Sequence, residues 1–117
     1  MATNFEDIVL WQKAHQFVLG VYRLSESFPK HELYGLTSQL RRAAVAIPAN
    51  FAEGFGKPTR PDKLRFYSIS QGSIEECRYY LRLVQDLGYG ETKSLTIDLI
   101  EVGKMLGSYM AKIRADL

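Results

Sequence analysis

Residues 31–54 read HELYGLTSQLRRAAVAIPANFAEG, and this stretch decides the fold. At about 100° per residue on a helical wheel, Leu33, Leu36, Leu40, Ala43, Ile47 and Phe51 share one face. Gln39, Arg42, Ala46, Asn50 and Glu53 form a narrow stripe beside it. The opposite side holds Val45, Pro48, Ala49 and Ala52, with Arg41 as its one charge. An ordinary surface helix has a broad polar back. This segment is apolar or small nearly all round. Two arrangements satisfy it: a central helix buried on several sides within one chain, or a helix whose back meets another subunit. A four-helix bundle leaves each helix a solvent face, which favours the second. Small residues allow close approach, and an apolar back is better buried than exposed. Pro48 removes one backbone hydrogen bond, at about 3 kcal/mol, and is expected to kink or break the helix.

The polar stripe needs partners, because buried charge must be paired. Glu53 lies eleven residues beyond Arg42, about three turns, so the two are not expected to pair along the helix. Partners are expected from another helix or subunit, with Gln39 and Glu76 as candidates. The stripe Gln39, Arg42, Asn50, Glu53 and Glu76 is therefore expected to be a structural polar network, with a ligand site as the sharper alternative. The sequence leaves open whether it faces a pore, an interface or the core.

Three breaks flank the helical segments: Phe28-Pro29-Lys30, the run from Gly54 to Pro61, and Leu87-Gly88-Tyr89-Gly90. They leave four segments of about 20–25 residues. In the first, from about Glu6 to Phe28, Trp11, Ala14, Val18, Val21 and Phe28 make one stripe and Leu10, Phe17 and Leu24 a second. The third runs from about Asp62 to Leu87. Its expected core face is Phe66, Ile69, Ser73, Cys77, Tyr80, Val84 and Leu87, with Pro61 suited to its first turn and Gly88 to its C′ position. The fourth runs from about Thr92 to Ala115, capped by Thr92 or Ser94, with a stripe of Leu95, Leu99, Val102, Leu106, Tyr109 and Ile113. No sustained period-two run or Asn-Gly hairpin signal is present. Four similar helices with short loops predict an all-α, up-down-up-down bundle, one domain over residues 1–117.

Composition excludes several classes. The chain has 117 residues, 46% hydrophobic, so one globular core is expected rather than disorder. Fifteen basic against thirteen acidic side chains give +2, which does not announce a nucleic-acid binder. The lone Cys77 excludes an intrachain disulfide. Residues 1–7 show no signal-peptide pattern, and no apolar run approaches the roughly 20 residues that span a bilayer. A soluble cytoplasmic protein without membrane contact is expected.

Several motifs carry a family resemblance: Trp11 to Ala14, Phe28-Pro29, Tyr34-Gly35-Leu36, Gln39 to Val45, Ile47 to Asn50, Ala52-Glu53-Gly54, Arg65-Phe66 and Gly72-Ser73. Together they resemble the 23S rRNA-intervening-sequence protein family, also called the S23 or four-helix-bundle protein family. The resemblance covers nearly the whole chain, and the run from Gly35 to Gly54 is its specific part. It departs from the usual pattern at Ala46, Phe51 and Lys57, where serine, isoleucine and arginine are expected. The resemblance implies a four-helix bundle assembling as a homopentamer, in bacteria. It also implies kinship with accessory proteins of diversity-generating retroelements, which bind nucleic acid and a reverse transcriptase.

Catalysis is hard to build from this inventory. His15 and His31 stand in no HExxH or Glu-x-x-His arrangement, so zinc-protease and di-iron sites are not expected. Cys77 falls on the expected core stripe, where a thiol is inert. No base, nucleophile and oxyanion group can be named together, so no catalytic residue, metal or cofactor is expected. The segment Gly54-Phe55-Gly56-Lys57-Pro58-Thr59 lacks the spacing of a phosphate loop and reads as a helix terminator.

The basic residues are more suggestive. Lys57, Arg60, Lys63 and Arg65 fall within nine residues, opposed by Asp62, and Arg78 and Arg82 follow on the third helix. Phe55, Tyr67 and Tyr79 interleave with them. Cations neutralise phosphates and aromatics stack on unpaired bases. These six, with Arg41 as a weaker candidate, are the expected nucleic-acid contacts, and a homo-oligomeric ring would repeat them. The favoured reading is a non-enzymatic assembly that binds RNA or DNA. The alternative is a protein-interaction scaffold, such as an accessory subunit of a reverse transcriptase.

Overall fold

The computed structural model describes residues 2–116. Four helices and, among the described residues, no strand make up the chain: α1 (Val9–Ser25), α2 (Ser38–Phe55), α3 (Arg60–Leu87) and α4 (Lys93–Ala115). α1 packs on α2 and α4, and α3 packs on the same two helices, so sequence neighbours are neighbours in space. The α2–α3 contact is the most extensive. α3 has 28 residues, about 42 Å at 1.5 Å per residue, and sets the 46 Å long axis.

Local chemistry fixes the helix ends. Thr59 accepts a hydrogen bond from the Asp62 amide at 3.3 Å, and Pro61 occupies the first turn of α3. That start lies two residues earlier than the sequence spacing predicts. Gly88, at φ 73°, ends α3 in the left-handed conformation expected of it, with the Tyr89 amide closing on Val84. Thr92 takes the N-cap position of α4, but its hydroxyl donates to Gln85 Oε1 at 3.0 Å instead of capping.

The second segment is not one helix. A 3₁₀ turn (Lys30–Glu32) leads into a wide turn over Leu33–Thr37, where Gly35 is non-helical at φ −112°, ψ −114°. The α-helix proper starts only at Ser38. Leu33, expected in the core, is therefore half exposed, and Tyr34 is 92% exposed. Glu32 holds the turn: its carboxylate accepts from the Leu36 amide at 3.3 Å and from the Tyr89 hydroxyl at 2.9 Å, tying the α1–α2 connection to the α3–α4 connection. α2 itself runs through Pro48 without breaking, with the proline ring buried.

The core is one cluster drawn from all four helices. Leu10, Ala14, Phe17 and Val21 meet Leu40, Ala44, Ile47 and Phe51, then Ile74, Leu81, Leu99, Val102, Leu106 and Met110. The expected stripes of α1 and α4 lie in or against this cluster. The α3 stripe needs correction. Ser73, Cys77 and Val84 are buried, but Ile69 and Leu87 are exposed and Phe66 and Tyr80 are only partly covered. The core face is Tyr67, Ser70, Ile74, Cys77, Leu81 and Val84. Two contacts with α2 rotate it so. Ser70 Oγ donates to the Ile47 carbonyl at 2.9 Å, which satisfies a buried hydroxyl. Tyr67 lies against Gly54, where a Cβ would come within 2.6 Å of the ring, and stacks on Phe51 at 4.9 Å.

Candidate functional site

Four of the expected cations converge where α2 ends and α3 begins. The last carbonyls of α2 lack intrahelical donors. Lys63, one turn into α3, reaches back and donates from Nζ to the Phe55 carbonyl at 2.6 Å and toward that of Gly54 at 3.5 Å. Its ammonium also stands 5.4 Å from the Phe55 ring centroid. Partial burial holds its pKa below the usual lysine value. Lys63 is thus a structural cap on α2.

Phe66 gathers two more cations. Lys57 Nζ lies 5.0 Å and the Arg65 guanidinium 4.8 Å from its ring centroid, within cation–π range. Lys57 also pairs with Glu53 at 3.6 Å, and Arg65 with Asp62 at 3.5 Å, both on the surface where such pairs contribute little. Arg60 is exposed and makes no hydrogen bond or ion pair among the described residues. From Glu53 to Arg65, four cations face two carboxylates.

The remaining cations lie elsewhere. Arg78 and Arg82 stand 18 and 22 residues beyond Arg60 on the same helix, about 27 and 33 Å away along its axis. They pair with Glu75 at 3.5 Å and Asp86 at 3.0 Å. Arg41 is tied to α1: its Nε donates to Ser25 Oγ at 2.7 Å and its guanidinium lies 4.8 Å from the Tyr22 ring centroid. Of the aromatics expected to meet bases, Tyr67 is wholly buried and cannot, whereas Tyr79 is exposed.

The polar stripe is not brought together within one chain. Gln39, Arg42, Glu53 and Glu76 are exposed, and half-buried Asn50 turns back to donate to the Ala46 carbonyl at 2.8 Å. Arg42 has no side-chain partner among the described residues, and Glu76 accepts only a long bond from Tyr80, at 3.4 Å. The back face is also less bare than the wheel suggests, since Pro48 is buried and Arg41 is engaged. What remains open on α2 is Gln39, Arg42, Val45, Ala49 and Glu53, with Ala46 half covered.

Burial, then the nearby Glu76 carboxylate, push the Cys77 thiol up to about 12, the opposite of an activated nucleophile. His15 stacks on Trp11 at 5.1 Å, and His31 is exposed in the turn. No group of three metal-ligating side chains occurs among the described residues. No helix there is long and apolar enough to cross a membrane.

The sequence model of the 23S rRNA-intervening sequence protein matches residues 6–108. The chain belongs to that family. Its bundle resembles the crystal structure of a protein of unknown function from the S23 ribosomal protein family of Bacteroides thetaiotaomicron. The TM-score is 0.81 at 23% identity, covering 87% of this chain and 98% of that one. At that identity the S23 likeness concerns the fold. No curated protein matches the chain. As a 23S rRNA-intervening sequence family member, the protein carries its cation-rich corner within the matched span. The role of Lys63 and the platform at Phe66 were not anticipated from sequence. The signal available was a lysine one turn after a helix start, facing a helix end across a four-residue turn.

Proposed function

We propose that this protein is a non-enzymatic, self-assembling four-helix-bundle protein that holds RNA or DNA against the corner between α2 and α3. The observation that carries the reading is Arg60, an exposed guanidinium without an intramolecular partner, beside Lys57 and Arg65 on the Phe66 ring. Cations at fixed spacing release counterions from phosphates, and each chain of a ring adds a copy of the corner. A homopentamer is the assembly that the family resemblance implies. Lys63 contributes charge but is held by the α2 carbonyls. Arg78 and Arg82 lie too far along α3 to belong to the same contact.

The test is fluorescence anisotropy with single-stranded RNA and DNA oligonucleotides over a salt series. Binding should weaken steeply with salt, and Arg60→Glu combined with Lys57→Glu should lower affinity and flatten the salt slope. Unchanged affinity and slope in that double variant would remove the corner from the account.

A protein-interaction scaffold, such as an accessory subunit of a reverse transcriptase, is the second reading. Tyr34 favours it: a 92% exposed aromatic beside half-exposed Leu33, on a turn pinned by Glu32. Such a rigidly presented pair suits a protein partner.

A further inference from the structure

The outer faces of α2 and α3 carry the same pattern. On α2, Arg42, Ala46, Ala49 and Glu53 fall at intervals of four, three and four residues. On α3, Arg65, Ile69, Gly72 and Glu76 repeat those intervals. Such spacing puts each set on one stripe of its helix. All eight are exposed except Ala46, which is half covered. A Cβ placed on Gly72 would meet nothing within 4 Å, so the middle of the α3 stripe is a bare shelf beside exposed Ile69. Each stripe begins with a cation, ends with a carboxylate and is small or apolar between them.

The two helices are antiparallel, so the stripes are complementary when one faces the other. Arg42 then meets Glu76, Ala46 meets Gly72, Ala49 meets Ile69 and Glu53 meets Arg65. Within one chain both stripes point outward, so they can meet only between copies. The bond from Ser70 to the Ile47 carbonyl sets the heights. Five residues back from Ile47 is Arg42, and five on from Ser70 is Glu75, next to Glu76. Six on from Ile47 is Glu53, and six back from Ser70 is Leu64, next to Arg65. Both pairs are level along the bundle to about one residue rise of 1.5 Å. A closed ring with its axis along the bundle permits no axial shift between subunits, so only groups at equal height can meet.

We propose that a second copy of this chain docks its α2 stripe on the α3 stripe of the first, head to tail, with Arg42 paired to Glu76 and Glu53 to Arg65 across the contact. The proposal rests on the self-assembly reading above and names its surface. Small residues at the centre let the helix backbones approach closely, while charges at both ends fix register and exclude the one-residue slip. Glu53 exchanges its surface pair with Lys57, and Arg65 its surface pair with Asp62, for this contact, which leaves Lys57 and Arg60 as the open part of the basic corner.

The test is size-exclusion chromatography with light scattering on wild type, Arg42→Glu, Glu76→Arg and the double exchange, with circular dichroism to confirm folding. Wild type should run as a closed oligomer, each single exchange as a single chain, and the double exchange should regain the wild-type mass. Gly72→Leu, which has open space in the isolated bundle, should keep the fold and lose the oligomer. A monomeric wild type would overturn self-assembly itself. An oligomeric wild type with unchanged single variants would overturn this contact while leaving self-assembly standing. Rescue of Arg42→Glu by Glu53→Arg, and not by Glu76→Arg, would place α2 against α2 and overturn the α2–α3 pairing.

Discussion

Lys63 Nζ donates to the Phe55 carbonyl at 2.6 Å, so a side chain from the first turns of α3 closes the end of α2. A cation at a helix C-terminus also sits favourably in the field of the unpaired carbonyls. Lys63→Met should therefore cost stability, about 1 kcal/mol for one partly solvated hydrogen bond. Arg60→Ala, at an exposed position without a partner, should stay within about 0.5 kcal/mol of wild type. Urea denaturation of the two variants checks the contrast. Equal stabilities would remove Lys63 from its capping role.

Gly54 is a packing glycine. The position a Cβ would take lies 2.6 Å from Cε1 of Tyr67, and Tyr67 is wholly buried between Phe51 and Tyr109. Gly54→Ala should destabilise by about 1–3 kcal/mol through overpacking, despite the better helix propensity of alanine. Thermal or urea unfolding reads this directly, and a neutral or stabilising result would show that the ring yields.

Cys77 gives a pH dependence. Burial raises its thiol pKa from 9.0 to about 12 in the folded chain. The unfolded state therefore loses its proton first as pH rises. The associated stability is complete below pH 9 and is lost between about 9 and 12, at up to about 1.4 kcal/mol per pH unit. Tyr67, also raised by burial, adds to the loss in the same direction above pH 10. Cys77→Ala should flatten the fall between pH 9 and 10, measured as urea midpoints. At pH 8 the native thiol should resist a disulfide reagent that the unfolded chain consumes.

Tyr89 joins the two connections at one end of the bundle through its 2.9 Å bond to Glu32. Tyr89→Phe keeps the ring contact with Phe28 but removes the donor. The expected cost is about 1 kcal/mol. Faster amide exchange should concentrate in residues 33–37, because Glu32 also holds the Leu36 amide. Exchange spread evenly over the chain would argue against a local tie.

Much of this fold is legible in sequence because its devices are local. Pro61 and Gly88 mark the ends of α3 by backbone geometry alone, and the stripes of α1 and α4 follow period 3.6. The exceptions each depend on a distant partner. Gly35 breaks the second segment where Glu32 reaches Leu36 and Tyr89. Tyr67 and Ser70 enter the core because Gly54 and the Ile47 carbonyl receive them, while Phe66 is only partly covered and Ile69 stays exposed. No wheel ranks serine above isoleucine for burial. The basic cluster was legible as charge but not as roles: Lys63 caps, Lys57 and Arg65 lean on Phe66, and Arg60 stands free. Arg42 was expected to find a partner. The single chain supplies none among its described residues, which is what directs attention to a second copy.

The most direct test of the account is light scattering with absorbance at 260 and 280 nm, on protein purified at low salt without nuclease. The expected result is an oligomer with excess 260 nm absorbance that a high-salt wash removes. A single chain whose absorbance ratio is that of protein alone at every salt concentration would contradict it.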